Sequence, residues 1–190
     1  ILYKGVKTHM TIEELVQNPK VMDDEVLFKK IKDAFIELYD KDKDLINNIP
    51  ANIEIELKDK SGNEGKYYVG ERSIVFKFAH YLQNYLYNTD YQKYHLDCEY
   101  NRNGIETKKL PDFKYGTFPD LIIHKRGENG KTNLLIMEFK TYWNKSSQKI
   151  ERDKLKVSQF VDKKGQYKFK YGLFVLIEKE IENVKIELIL

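Results

Sequence analysis

The spacing of hydrophobic positions changes along the chain, and those changes divide it into elements. From 23 to about 39, Val26, Leu27, Ile31, Phe35, Ile36 and Leu38 recur at helical spacing. Asp23, Asp24 and Glu25 suit the first turn of that helix, where acids complement the dipole. After Pro50 the pattern alternates, with Ile53, Ile55 and Leu57 separated by polar residues, which predicts a half-buried strand. A Ser-Gly-Asn-Glu-Gly turn then leads to a hairpin partner at 66–70. A second helix follows Gly70, its stripe formed by Ile74, Val75, Phe78, Leu82, Tyr85 and Leu86, with Glu71 in the first turn.

Beyond that helix the period falls from 3.6 to 2. Strands are predicted at 94–100, 118–125 and 133–140, separated by Gly and Asn clusters. The polar stretch 148–163 reads as a helix with Ile150, Leu155 and Phe160 on its buried side, ended by Gly165. Two more strands, 171–178 and 184–190, close the chain. The order is an N-terminal helical extension, then helix, three strands, helix, strand and a final strand. Without repeats or long linkers, this predicts a single α/β domain in which a helical and hairpin extension, 1–69, packs on a core at 70–190.

Composition narrows the class of protein. With 41% hydrophobic residues, 14 Tyr and 10 Phe, the chain is too apolar and aromatic for disorder. A net charge of +3 is far weaker than the basic stripe of a dedicated electrostatic nucleic-acid binder. Cys98 is the only cysteine, which excludes an intrachain disulfide and a cysteine zinc cluster and fits a reducing compartment. No run reaches the roughly 18 apolar residues of a membrane span, and the N-terminus lacks signal-peptide features, so the expectation is a cytoplasmic protein with no membrane partner. The chain begins at Ile1, which leaves open whether residues precede it or Met10 is the start.

The candidate chemistry lies in two strands, Pro-Asp-Leu-Ile-Ile-His and Asn-Leu-Leu-Ile-Met-Glu-Phe-Lys, joined by the turn-forming Gly-Glu-Asn-Gly-Lys-Thr. A hairpin centred near Asn129 sets Asp120 opposite Glu138, to within a slip of one or two residues. Lys140 then shares the face of Glu138, about 6.6 Å further along. Two carboxylates in a partly buried site raise one another's pKa unless a cation neutralises them. Magnesium prefers oxygen ligands and retains waters, so Asp120, Glu138 and the Phe139 carbonyl suit it. Lys140 is then placed to orient an attacking water or to stabilise charge on a phosphorane.

Phe118-Pro119-Asp120 followed by Glu138-Phe139-Lys140 at the end of an apolar strand resembles the PD-(D/E)XK nuclease superfamily. The element order is similar to the αβββαβ core of that restriction-endonuclease-like fold, and the motif falls on its second and third strands. The run from Asp97 to Gly104, with the hairpin, also resembles a group of bacterial proteins within the superfamily. The similarity covers about 70–177. It implies a Mg²⁺- or Mn²⁺-dependent nuclease acting on nucleic acid, with DNA favoured. Asp120 and Glu138 would be metal ligands, Lys140 the catalytic lysine, and Glu71 a helix-borne acid serving a second metal or a water. Glu99, on the neighbouring strand, is a further candidate for the cluster. Lys154 and Gln159 are candidates from the second helix, but Lys163 departs from the Gln-x-x-x-Tyr pattern of the RecB-like branch.

Other chemistry-bearing residues have plainer readings. Glu71 also suits the helix dipole. His80 lies two and a half turns beyond Glu71, and His124 lies about 13 Å from Asp120 along its strand, so both read as structural. Cys98 reads as an inert, half-buried strand residue. The tyrosines of 81–95 suit packing more than base stacking. Lysines at 145, 149, 154, 156, 163, 164, 168 and 170 form a loose band that suits a phosphate backbone or a solvated face. Two alternatives remain beside a DNA nuclease: an RNA-cleaving enzyme, or a non-catalytic module that binds nucleic acid or protein. Symmetric cutting of duplex DNA would require a homodimer.

Overall fold

In a computed structural model of the chain, the described residues are 9–47, 70–128, 132–144 and 146–190. The strand expected at Ile53 to Leu57, its turn and its partner lie outside them, as does the centre of the turn between the two motif strands. The architecture is mixed α/β. Helices α1 (Ile12–Val16), α2 (Glu25–Lys41), α3 (Lys43–Asn47) and α4 (Glu71–Leu86) precede β1 (His95–Cys98) and a small hairpin, β2 (Arg102–Asn103) and β3 (Glu106–Thr107). Strands β4 (Leu121–His124) and β5 (Leu135–Thr141), helix α5 (Ser147–Val161), and strands β6 (Tyr171–Ile177) and β7 (Lys185–Ile189) follow.

Five strands form one sheet in the order β1-β4-β5-β6-β7. Strand β4 runs antiparallel to β1 and β5, β5 and β6 are parallel across the α5 crossover, and β7 closes the sheet antiparallel to β6. The β4–β5 register is Leu121 with Met137, Ile122 with Ile136 and Ile123 with Leu135, the pairing the turn predicted.

Side-chain parity divides the core in two. Leu121, Ile123, Leu135, Met137, Phe139, Leu173 and Val175 face one side, where they pack with Phe28, Ile31, Phe35, Ile74 and Phe78 of α2 and α4. Ile122 and Ile136 face the other side and pack with Val157, Phe160 and Val161 of α5. Strands β4, β5 and β6 are therefore buried on both faces, which explains their unbroken apolar runs.

Leu27, Ile31, Phe35 and Leu38 of α2 and Ile74, Val75, Phe78, Leu82 and Leu86 of α4 are buried as expected, while three stripe positions are not. Val26 and Ile36 are exposed; the α2 stripe centres on Ile31, and Ile36 lies about 140° around the helix from it. Leu155 is likewise exposed because α5 buries the face of Val157, Phe160 and Val161. The N-terminal helices share the larger core. Met10 and Ile186 exchange backbone hydrogen bonds of 2.8 Å, and Asp24 accepts from the hydroxyls of Tyr91 and Tyr171 at 2.8 Å and from Lys170. Tyr81 donates to Asp42 and Tyr39 to the Glu178 carbonyl, so these tyrosines pack with their hydroxyls engaged.

Helix α5 approaches β6 closely at Gly172, where a Cβ would run into the methyl groups of Val157 and Val161. Gly172→Ala should therefore cost about 1–3 kcal/mol by overpacking, read as a lower urea midpoint at unchanged slope.

Candidate active site

The site forms where α5 meets the ends of β4 and β5 and the first turn of α4. Asp120 precedes β4, and its carbonyl accepts from the Glu99 amide at 3.3 Å, extending the β1–β4 ladder. The register continues to set Asp120 opposite Glu138. At this end of the ladder the Asp120 carboxylate, through Oδ2, accepts from the Phe139 amide at 2.8 Å. Asp120 is thus fixed by two backbone contacts, and no described side chain hydrogen-bonds to it.

Glu138 is 1% exposed and continues the Ile136 face toward α5. Its Oε2 accepts from Lys156 Nζ at 2.6 Å, while Oε1 is buried without a hydrogen-bond partner. Lys140, two residues on, donates to Glu71 Oε1 and Asp153 Oδ2 at 2.8 Å each and to the Phe139 carbonyl at 2.9 Å. Those acceptors account for all three N–H donors of the ammonium. Asp153 bridges the two lysines, its Oδ1 lying 3.6 Å from Lys156. Glu71 Oε2 is a second buried oxygen without a partner.

Four carboxylates, Glu71, Asp120, Glu138 and Asp153, thus surround two ammonium groups, Lys140 and Lys156, leaving a formal excess of two negative charges when all are ionised. The electrostatics reflect that excess. Burial pushes Glu138 well above the ordinary range, with the Asp120 charge adding to it. Burial also raises Asp120 and Glu71, against the lowering contributions of the Phe139 amide and Lys140 respectively. Lys140 is raised although burial opposes it, because its bonds to Asp153 and Glu71 outweigh desolvation. Lys156 is raised in the same way by Glu138.

Asp120, Glu138, Lys140 and Glu71 therefore come together as the sequence anticipated, and Phe139 contributes its backbone amide and carbonyl. Glu99 turns instead to Arg72, at 2.5 Å. With Val75, Phe76, Cys98 and Asp120, that pair lines a cavity of about 200 Å³ beside the site. The two α5 candidates face elsewhere: Lys154 pairs with Glu187 of β7 at 2.8 Å, and Gln159 bonds Asp112. The α5 residues in the cluster are Asp153 and Lys156, absent from the sequence reading as site members. Their signal was the spacing 153, 156, 157, 160 and 161, one helix face continuous with the buried Val157 and Phe160.

His80 sits beside Asn84 on exposed surface, and His124 bonds Asp97, so neither enters the cluster. Cys98 is exposed rather than half-buried, and crowding by protein atoms, with Asp97 and Asp120 adding to it, raises its thiol to about 11. The lysine band is not one surface, since Lys156 points into the site and Lys170 pairs with Asp24. Lys145 lies outside the described residues.

No group of three or more His, Cys, Asp and Glu side chains among the described residues forms a metal cage by itself. A hard divalent ion needs less than that, because magnesium is commonly held by one or two carboxylates with several waters. The all-oxygen donor set of Asp120, Glu138 and the Phe139 carbonyl, the orphaned Glu138 Oε1 and the excess of two negative charges fit such an ion. No protein-family model, curated protein or solved structure matches this chain. No helix among the described residues is long and apolar enough to cross a membrane.

Asp120→Asn keeps an acceptor for the Phe139 amide while removing one of the opposed charges. Because burial raises the Asp120 pKa in the fold, ionisation costs stability at pH values above the unfolded value of 3.8. The variant should therefore melt higher than the wild type at pH 7 in metal-free buffer, with the gain shrinking as pH falls toward 3.8. Differential scanning calorimetry across that range reads the difference; a lower melting temperature at pH 7 would refute the electrostatic account.

Proposed function

We propose that the chain is a Mg²⁺- or Mn²⁺-dependent nuclease that hydrolyses phosphodiester bonds of DNA in the cytoplasm. The observation that carries this reading is the convergence of four carboxylates on only two lysines, with Glu138 buried and its Oε1 without a partner. Its support from the fold is the order α4, β1, β4, β5, α5, β6, which corresponds to the αβββαβ core of restriction-endonuclease-like proteins with a small hairpin between β1 and β4.

Asp120, Glu138 and the Phe139 carbonyl would hold the metal, which supplies an activated water and a Lewis acid for the phosphoryl oxygens. Lys140 has every N–H donor engaged and no lone pair, so it acts as a fixed positive charge toward the developing phosphorane, not as a base. Glu71 and Asp153 position that charge. Lys156 balances Glu138 and adds a second positive charge beside the Phe118 carbonyl.

One observation favours a second reading. Lys156 already pairs with Glu138, so the cluster holds together without metal, as it would in a module that binds nucleic acid or protein without cutting. Incubation of plasmid DNA, linear DNA and RNA with Mg²⁺ or Mn²⁺ separates the readings. The wild type should cleave DNA, and Asp120→Ala and Lys140→Ala should each lose about 10²–10³ in rate. Equal cleavage by all three would end the catalytic assignment, RNA-only cleavage would change the substrate, and DNA retention without cleavage would leave a binding module.

A further inference from the structure

A second cluster of charge lies toward the other end of β4. Asp97 of β1 accepts from His124 Nε2 at 2.8 Å and from the Arg126 guanidinium. Burial pushes the Asp97 carboxyl up, but these bonds outweigh it and hold it well below its ordinary range. Asp97 is thus fully committed to His124 and Arg126. Beside this triad, a cavity of about 120 Å³ is lined by Arg102, Lys108, His124, Lys125 and Asn133 among others, with Glu128 the one acid. That acid is already drawn to Lys125, at 3.6 Å. The space corresponds to about four waters.

Lys108 is the unusual member, a lysine only 4% exposed. Its Nζ donates to the carbonyls of Tyr100, at 3.1 Å, and Arg102, and lies 4.3 Å from the centre of the Tyr100 ring. Among the described residues no carboxylate lies within ion-pair distance of it, and desolvation, offset only in part by the more distant Asp97 charge, lowers its pKa to about 8. Lys140 offers an internal comparison: that ammonium has three acceptors, two of them carboxylates. Lys108 has two neutral acceptors and one N–H donor left over. A buried ammonium without a directly paired counter-charge is costly to maintain, and residues around it that are also cationic do not relieve it. Arg102, on the rim, makes among the described residues only a long bond of 3.4 Å to the Ile105 carbonyl.

We propose that this pocket binds a phosphate-class oxyanion, with Lys108 as its buried counter-charge and Arg102 as the donor at the rim. The anion accepts the third Lys108 N–H, and the guanidinium closes over it with planar, charge-assisted hydrogen bonds. The group is either a free phosphate or a phosphate of a nucleic-acid strand. His124 lies four residues along β4 from Asp120, about 13 Å, so a strand with one phosphate at the carboxylate cluster can present another here. The pocket itself does not depend on the nuclease reading.

Calorimetric titration of the full chain in metal-free buffer tests this without involving cleavage. The probes are inorganic phosphate and a dinucleotide with and without a 5′-phosphate. Wild type should bind one inorganic phosphate, Lys108→Met should weaken it by at least about tenfold, and exposed Arg102→Gln by about threefold or more. If Lys108→Met does not fold, Arg102→Gln decides, since Arg102 is on the surface. Binding of both dinucleotides, which share the internal phosphodiester of a strand, more tightly than inorganic phosphate assigns the pocket to a nucleic-acid strand, and binding of inorganic phosphate at least as tightly as the 5′-hydroxyl dinucleotide assigns it to the free anion. No binding by the wild type, or affinity unchanged in the folded variants, overturns the proposal.

Discussion

A carboxylate in the middle of a strand buried on both faces must find positive charge within reach, and Glu138 finds it in Lys156 of α5. Much of the local architecture follows from that requirement. Helix α5 must lie close over the sheet for Lys156 to reach β5, and the missing side chain at Gly172 allows the approach. Once α5 is there, Asp153 is delivered to the gap between Lys156 and Lys140. Glu71 then arrives from the opposite layer, because Lys140 stands at the end of β5 where the first turn of α4 can touch it. The site is therefore a joint between the two helical layers and the sheet.

Such a network is a poor way to gain stability. Buried ion pairs roughly break even against apolar packing, and this cluster is worse than balanced because carboxylates outnumber lysines. An apolar residue at 138 would extend the Ile122 and Ile136 core without opposed charges. The cost of the opposed charges is what the proposed divalent cation would relieve. The Lys108 pocket follows the same logic with the sign reversed, a buried cation short of an anion.

The sequence revealed the geometry where local rules determine it. The register of β4 and β5 was legible because a turn rich in Gly and Asn separates two runs whose alternation leaves little room for slippage. Glu71 was legible as a first-turn acid, though only the fold shows it clasping Lys140. On α5 Phe160 is buried and Ile150 half-buried as expected, and only Leu155 lies off the buried face; a helix that buries polar residues on the same face as its apolar ones defeats a search for hydrophobic period. Asp153 and Lys156 were hidden for that reason. Lys108 was hidden more completely, since no local pattern marks a lysine for burial.

The proposed nuclease role requires that the carboxylate cluster take up a divalent cation. A crystal soaked in Mn²⁺ and measured at the manganese edge tests this most directly. The predicted result is one anomalous peak between Asp120 and Glu138, about 2.1 Å from a carboxylate oxygen of each. A cluster without a peak at saturating Mn²⁺, with Lys156 still seated on Glu138, would contradict it.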